Sequence, residues 1–310
     1  MITTVTLNTA VDKLYIVEKI ENDTVMRVKS VYNTAGGKGI NVSKVAALAG
    51  EIVTATGFLG GFSGSFMRSM LESAGIRTLF TQIEAETRSC VNIRDESTGK
   101  HTEYLEPGAS ISTDDLDRFI ADFKSVLVMS DIVSISGSVP KGTPTGFYSE
   151  IIGLCKSAGK RVIVDTSGDL LVESVKSFPT LIKPNIDEIE QLTGEKITSE
   201  KQIITAAQKI HADGIEYVAV SLGKDGSVFV CSDGVFKCTP PKIDAVNTVG
   251  CGDSMMAGFA VSLSRGFHVV EMLCYATAVS AANALELQTG HIDMGNLEHL
   301  IKQAIVRKLT

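Results

Sequence analysis

From residue 113 onward, short apolar stretches typical of β-strands alternate with longer stretches typical of α-helices. The predicted strands are Ile132–Ser136, Arg161–Val164, Thr180–Ile182 and Tyr217–Ser221, and the predicted helices span 113–124, 144–158, 167–176 and 199–211. Strands that are apolar along nearly their whole length and alternate with helices belong to a parallel sheet covered on both faces. With the β-branched segment Ile2–Leu7 as a first strand, the pattern predicts an α/β fold with a central, mostly parallel sheet.

Four short segments nearer the N-terminus indicate a second, smaller sheet. Lys13–Val17 and Val25–Val31 have the composition of strands, and Ser89–Arg94 and His101–Leu105 alternate in polarity around the turn sequence Thr98-Gly99. We expect these segments to form a small antiparallel sheet outside the main one. Towards the other end of the chain, we predict a hairpin over 226–238 and helices over 253–264, 268–287 and 296–307.

Composition and charge exclude several classes of protein. An apolar fraction of 44% suits a globular core, and 310 residues fit two domains or one large α/β domain with an insertion. The net charge of −7, without a basic stripe, argues against nucleic acid as a partner. We expect no membrane span and no secretory signal. The six cysteines form no C-x-x-C pair, which argues against zinc or disulfides and favours a reduced, cytoplasmic compartment.

The segment from Asn247 to Phe259 has the pattern of an anion site. It begins polar and rich in glycine and then becomes almost wholly apolar, which predicts a loop that enters a buried helix. The backbone N–H groups of residues 250–253 would then lie free at the positive end of the helix dipole. Asp253 adds a carboxylate in the same turn, an arrangement that suits phosphoryl transfer to an alcohol. The alternative is that Asp253 is an ordinary acidic residue of a first helical turn.

Other polar groups follow the ends of predicted strands. They are Asp12, Ser136-Gly137-Ser138, Lys183-Pro184-Asn185-Ile186-Asp187-Glu188 and Ser221-Leu222-Gly223-Lys224-Asp225-Gly226. Because ligands of open α/β sheets bind at the carboxyl ends of the strands, we expect these groups to share one crevice. Asn185 and Glu188 are three residues apart at a helix start and share a face. Glu188 is equally well explained as the partner in a helix-capping box.

A second glycine-rich segment, Ala35-Gly36-Gly37-Lys38-Gly39-Ile40-Asn41-Val42, predicts a flexible loop that leads into a helix. Together with Gly250-Cys251-Gly252-Asp253, it resembles the two signature motifs of the ribokinase-like PfkB family of carbohydrate kinases. Cys251 replaces the usual alanine, a change that leaves backbone donors intact. Within the family, Asn8-x-x-x-Asp12, Thr87-Arg88 and Lys183-Pro-Asn185 resemble the branch of tagatose-6-phosphate kinases and 1-phosphofructokinases.

The resemblance implies one ribokinase-like kinase domain over residues 1–310, with ATP and Mg²⁺ as cofactors. The small sheet, with segments at about 12–34 and 88–107, would be a lid over the sugar and a homodimer surface. The resemblance assigns catalysis to Asp253 with Gly250, Cys251 and Gly252, and sugar hydroxyls to Asp12, Gly36, Gly37 and Asn41. It assigns the phosphate of the sugar to Arg88, Lys38, Ser138 and Arg27, the nucleotide to Lys183, Asn185, Ser221, Gly223, Gly226, Gly252 and Asn283, and Mg²⁺ to Asn185 and Glu188 through water.

The implied reaction is ATP-dependent phosphorylation of a ketohexose monophosphate, with tagatose 6-phosphate to tagatose 1,6-bisphosphate as the first expectation. Fructose 1-phosphate as the acceptor, an unphosphorylated sugar or nucleoside, and a non-catalytic sensor of sugar phosphate or nucleotide are the alternatives. Arg27 can equally be an ordinary surface charge, and Asn283 an exposed polar residue. Because Asp253 lies at a helix N-terminus, we expect it to be a weak base.

Overall fold

The structure is a computed structural model that describes residues 1–310. The strands are β1 (Ile2–Thr6), β2 (Ala10–Val17), β3 (Ser30–Gly36), β4 (Val53–Gly60), β5 (Arg77–Ile83), β6 (Arg88–Asp95), β7 (His101–Leu105), β8 (Ile132–Ser136), β9 (Arg161–Asp165), β10 (Leu181–Ile182), β11 (Tyr217–Ser221), β12 (Ser227–Cys231), β13 (Gly234–Thr239) and β14 (Ile305–Lys308). The helices are α1 (Lys38–Leu48), α2 (Gly61–Ser73), α3 (Thr113–Leu127), α4 (Phe147–Ser157), α5 (Gly168–Val175), α6 (Ile186–Thr193), α7 (Glu200–Ala212), α8 (Cys251–Arg265), α9 (Val269–Ala284) and α10 (Met294–Gln303).

The main sheet confirms the predicted α/β architecture. Its ten strands lie in the order β14-β13-β12-β11-β10-β9-β8-β1-β4-β5. Strands β11 to β5 in this order are parallel, and β12, β13 and β14 add an antiparallel edge. Side chains alternate between two cores, since Ile132 joins the core with α1, α8 and α9 whereas Val133 joins the core with α3, α4 and α7. The helices therefore cover both faces, as the apolar strands require.

The small sheet has the order β3-β2-β6-β7 and differs from the prediction in one pairing. The β3–β2 and β6–β7 pairs are antiparallel, but β2 and β6 run parallel, with Asp12 opposite Cys90. The cause is topological. The strands β1 and β5 are parallel members of the main sheet, and β2 and β6 leave their carboxyl ends after only short connections. The strands β2 and β6 therefore run in the same direction.

Three local predictions were wrong. The strand predicted over Val25–Val31 begins only at Ser30, because the register of β2 with β3 pairs Ile16 with Ser30 and leaves the residues between β2 and β3 as an exposed connection. The segment 35–37 is not entirely a loop, since β3 continues to Gly36. The C-terminal helix ends at Gln303 rather than 307, because the β-branched pair that follows joins β14, which hydrogen-bonds to the edge strand β13.

None of the ten helices combines the length and the apolar character needed to cross a lipid bilayer. The longest, α9, has 16 residues and packs against α8. Both helices are almost wholly buried in the core on one face of the main sheet.

The packing of α8 on α9 generates a stability prediction. A Cβ atom at Gly258 of α8 would lie 2.6 Å from Cα of Ala276 in α9, closer than van der Waals contact allows. We therefore expect Gly258→Ala to lower the free energy of unfolding by about 1–3 kcal/mol, because the two backbones must separate. Gly153→Ala is the matched control, since Gly153 lies on the exposed face of α4 with open space around it. This control should be neutral or stabilising by up to about 1 kcal/mol in urea unfolding, and equal stability of the two variants would contradict the prediction.

Candidate active site

A cavity of about 430 Å³ lies at the carboxyl ends of the parallel strands, between the main sheet and the small sheet. It brings together eight of the residues singled out from the sequence, namely Asp12, Gly37, Lys38, Asn41, Arg88, Ser138, Gly250 and Asp253. These residues come from four elements and three loops that are up to about 240 positions apart in the chain, and they meet because parallel strands end at one edge of a sheet. Of the four groups predicted to share one crevice, Asp12 and Gly137-Ser138 line this cavity, whereas none of residues 183–188 or 221–226 does.

The start of α8 has the geometry of an anion site. Gly250 is the N-cap, with a left-handed backbone (φ 80°), and a side chain here would collide with Thr289. The N–H groups of Gly250, Gly252 and Asp253 donate no hydrogen bond within the protein, whereas Cys251 donates to the carbonyl oxygen of Thr248 at 3.3 Å. Three rather than four amides are therefore free at the positive end of the helix dipole.

Asp253 is buried in the first turn of α8, and its environment makes it a stronger base than we expected. Its Oδ2 accepts a hydrogen bond of 2.8 Å from Nδ2 of Asn41. Burial, with a smaller contribution from the charge of Asp165, raises the pKa of Asp253 to about 6. The expectation of a weak base was wrong, because the loss of hydration outweighs the helix dipole and the nearby lysines.

Asp165 is a residue of this site that the sequence analysis missed. It is the last residue of β9, and it is only 2% exposed. Its Oδ1 lies 3.4 Å from Nζ of Lys183, and its Oδ2 lies 3.7 Å from Nζ of Lys38 and has no hydrogen-bond partner. The signal was present, because Asp165 directly follows the predicted strand Arg161–Val164, but the residue was not singled out.

Lys38 lies beside an acidic group of the site, since its Nζ is 3.7 Å from Oδ2 of Asp165. The charges that act on its ammonium group are those of Asp165, then Asp253 and Glu188, which together raise the pKa of Lys38. Lys38 therefore interacts with the acidic groups Asp165 and Asp253. Lys183 lies close to the start of α8, because a Cβ atom at Gly252 would lie 3.4 Å from its Nζ.

Arg88 and Ser138 form another part of the cavity wall. The guanidinium of Arg88 donates to the carbonyl oxygens of Asn8 (3.0 Å) and Glu106 (2.7 Å), and its buried Nε has no partner. The side chain of Asn8 donates to Oγ of Ser138 at 3.2 Å. Arg27 lies in the exposed connection before β3 and does not line the cavity, as expected of a surface charge.

Asp12 adds a second carboxylate to the cavity. Burial raises its pKa to about 6, and the charges of Lys44 and Arg88 act in the opposite direction. The backbone of Gly36 packs directly against this carboxylate and leaves no room for a Cβ atom. Gly36 itself is buried beneath Asp12, so it supports the wall of the cavity without lining it.

Of the residues assigned to the nucleotide, Lys183 and Asn185 follow β10, whereas Ser221 ends β11 and Gly223 and Gly226 follow it. Asn185 and Glu188 form a complete capping box at the start of α6, with hydrogen bonds of 2.9 and 2.8 Å, so the capping alternative for Glu188 is confirmed. Burial, followed by the charge of Asp165, raises the pKa of Glu188. Ser221 donates its N–H to the carbonyl oxygen of Pro184, and Gly223 and Gly226 flank a 3₁₀ turn.

The alternative that Asn283 is an exposed polar residue is wrong. Its side chain is completely buried in α9. It donates to the carbonyl oxygen of Val249 at 3.0 Å and accepts from the N–H of Gly290 at 2.9 Å. Asn283 therefore ties the loop before α8 to the loop after α9, and it has no free polar atom with which to recognise a base.

This combination of groups defines a phosphotransferase. Free amides at a helix N-terminus suit a phosphoryl group, and a buried carboxylate with a pKa near 6 suits removal of a proton from an alcohol. Residues 3–294 match the pfkB family carbohydrate kinase, and the chain belongs to that family. It is thus a carbohydrate kinase that transfers phosphate to an alcohol group.

Relatives of known sequence or structure agree with this membership. The tagatose-6-phosphate kinase of Staphylococcus epidermidis is 39% identical over 308 residues, which cover 98% of both chains. Phosphofructokinase-2 from Escherichia coli, solved with fructose-6-phosphate, has a TM-score of 0.89 at 26% identity and covers 97% of this chain and 98% of its own. The ribokinase of Arabidopsis thaliana, with a TM-score of 0.75 at 23% identity over 97% of this chain and 98% of its own, shows the ribokinase-like fold.

The raised pKa of Asp253 predicts a stability cost that depends on pH. The folded state holds the carboxyl at a pKa of about 6 against an ordinary 3.8, so ionisation opposes folding above pH 6, and this cost disappears as the pH falls towards 4. We expect Asp253→Asn, which can still accept the hydrogen bond from Asn41, to raise the free energy of unfolding by about 1–3 kcal/mol at pH 8. The gain should shrink through pH 6–4 in urea unfolding. A variant less stable than the wild type at pH 8 would show that the ionised carboxylate of Asp253 does not destabilise the folded state.

Proposed function

We propose that this kinase transfers the γ-phosphoryl group of ATP to tagatose 6-phosphate and forms tagatose 1,6-bisphosphate. The observation that carries the proposal is that Arg88 lines the same cavity as Asp253 and the start of α8 with its free amides. Arg88 suits a phosphate already on the acceptor, whereas Asp253 and the free amides suit transfer of the incoming phosphoryl group. The close sequence similarity to a tagatose-6-phosphate kinase supports the choice of sugar.

In the proposed mechanism, Asp253 receives the proton of a primary hydroxyl of the sugar while the hydroxyl oxygen attacks the γ-phosphorus. The new O–P bond forms, the bond to the β-phosphate oxygen breaks, and ADP leaves. A carboxylate with a pKa near 6 remains a much weaker base than an alkoxide, so the proton passes as the O–P bond forms. The amides of Gly250, Gly252 and Asp253 stabilise the charge on the transferring group.

Two lysines and two carboxylates of the site suit the binding of ATP with Mg²⁺. Lys38 and Lys183 carry the positive charge that donor phosphates require, and we propose this role for Lys38 in place of the phosphate of the sugar. The free oxygen of Asp165 and the carboxylate of Glu188 are the hard ligands that Mg²⁺ prefers, in part through water. When bound, the ion neutralises charge on the donor phosphates. Ser221, Gly223 and Gly226 would border the nucleotide.

On the acceptor side, Asp12, Gly37 and Asn41 would bind the ring hydroxyls, with Gly36 supporting Asp12. Arg88 and Ser138 would hold the existing phosphate. We propose that the small sheet closes over the sugar as a lid, since its strands β2, β6 and β7 line the cavity. Its exposed apolar side chains, among them Tyr104 and Leu105, would make a homodimer surface.

Phosphorylation of fructose 1-phosphate is the second candidate. A Thermotoga maritima protein described as a "possible 1-phosphofructokinase" has a TM-score of 0.89 at 26% identity and covers the whole of both chains. Arg88 and Ser138 would hold the 1-phosphate, and the sugar would bind in the reverse direction. A non-catalytic sensor is disfavoured because Asp253 and the free amides are present, and an unphosphorylated acceptor is disfavoured because Arg88 lines the cavity.

Steady-state ADP release on four acceptors tests the proposal. We expect kcat/KM to be highest for tagatose 6-phosphate, followed by fructose 6-phosphate, fructose 1-phosphate and unphosphorylated tagatose. For fructose 6-phosphate, which differs from tagatose 6-phosphate at C4, kcat/KM should be at least about tenfold lower, because a misplaced hydroxyl leaves buried groups unpaired. Arg88→Ala should raise KM at least about tenfold for each sugar phosphate and leave the KM for ATP unchanged.

Arg94→Ala is the matched control, because Arg94 lies on the same strand, β6, but does not line the cavity. This variant should keep the wild-type KM for every acceptor. Fructose 1-phosphate as the best substrate would replace the first proposal with the second candidate. An unchanged KM for Arg88→Ala would remove Arg88 from the phosphate site.

A further inference from the structure

Lys44 lies in α1, one turn after Asn41, and its ammonium group joins three separate parts of the fold. Its Nζ donates to Oδ1 of Asn41 at 3.2 Å, to the carbonyl oxygen of Ala35 in β3 at 3.2 Å, and to the carbonyl oxygen of Thr289 at 2.8 Å. An ammonium has three donors and no acceptor, so all of its donors are used. The small sheet, the first helix and the loop after α9 therefore meet at this one side chain.

Lys44 does not touch the catalytic cavity. It lines a second, smaller cavity of about 240 Å³, together with Leu48 and Met70, whereas Asn41 lines the catalytic one. Lys44 can therefore influence Asp253 only through Asn41 or through its charge. It is a candidate for positioning, not for contact with the substrate.

The amide of Asn41 could face Asp253 with either its NH₂ group or its oxygen, and only the first orientation stabilises a carboxylate. Because an ammonium can donate but not accept, Lys44 can hold only the oxygen of this amide. The NH₂ group is then left to donate to Oδ2 of Asp253, as the 2.8 Å contact shows. Lys44 thus determines which end of Asn41 the carboxylate meets.

We propose that Lys44 is a positioning residue of the phosphoryl-transfer site, which holds the Asn41 amide in the one orientation that keeps Asp253 in place and ionised. The inference rests on the proposed role of Asp253 as the base. The other charged groups that face Asp253 are Asp165 at the end of β9, Asp12 of β2, Lys38 at the start of α1 and Lys183 after β10. Lys44 itself also faces Asp12 of β2.

The charge of Lys44 supports this role. Burial lowers the pKa of Lys44 to about 8, and the charges of Asp12 and Asp253 act against that decrease. The group is therefore mostly a cation at neutral pH, and it favours the ionised forms of both carboxylates. Removal of the cation should raise the pKa of Asp253, since one favourable charge and one fixed donor are lost together.

The test compares Lys44→Met with Lys44→Arg, which keeps the cation, and with Lys209→Met, a matched change of an exposed lysine in α7. The carboxyl ¹³C signal of Asp253 is titrated by NMR in the protein without ligands and is identified by its absence in Asp253→Asn. For Lys44→Met we expect the pKa of Asp253 to rise by about one pH unit. We expect kcat at pH 7 on the best sugar phosphate to fall at least about tenfold, with the KM for ATP within about twofold.

Lys44→Arg should restore most of kcat and the wild-type titration of Asp253, and Lys209→Met should match the wild type in both. Lys44→Gln, which has no charge and can accept as well as donate, replaces Lys44→Met if that variant does not fold. An unchanged titration of Asp253 in the folded neutral variant would overturn the proposal, whatever happens to kcat. Because the titration needs no substrate, this outcome is independent of which sugar the kinase prefers.

Discussion

The hydrogen bond between Asn41 and Asp253 is the contact on which the catalytic arrangement depends. It joins the first turns of α1 and α8, two helices that start more than 200 residues apart and pack on the same face of the main sheet. Three features hold α8 in register for this contact. They are the left-handed turn at Gly250, the buried ties of Asn283 and the close approach of Gly258 to α9. The surrounding fold thus places a carboxylate and free amides within one helical turn.

Burial gives this site its chemistry at a cost in stability. Asp253, Asp12, Asp165 and Lys183 are all removed from most contact with water. The same loss of hydration that brings Asp253 to a pKa of about 6 makes its charge unfavourable in the protein without ligands. Free amides and lysines close by favour anions. The site is therefore organised for ligands that bring negative charge and exclude water.

Patterns in the sequence predicted the parallel sheet and eight of the residues that line the cavity, because strand periodicity and glycine-rich helix starts are local signals. Contacts made at a distance were not predictable. Asn283 lies in an apolar helix, and no local pattern indicates that it connects two loops. The same holds for Lys44, whose position in the sequence is that of an ordinary helical lysine. The strand after Val25 was misplaced because register depends on the partner strand. The base strength of Asp253 was underestimated, since desolvation cannot be read from neighbours in the chain.

The most direct test of the account is the effect of Asp253→Asn on the steady-state kcat with the preferred sugar phosphate. The variant keeps the shape of the side chain and can still accept from Asn41, but it cannot take a proton. We expect kcat to fall at least about a hundredfold, the usual scale of a general base, while ATP binding measured by calorimetry stays within about threefold. A variant that retains more than about a tenth of the wild-type kcat would contradict the assignment of Asp253 as the base.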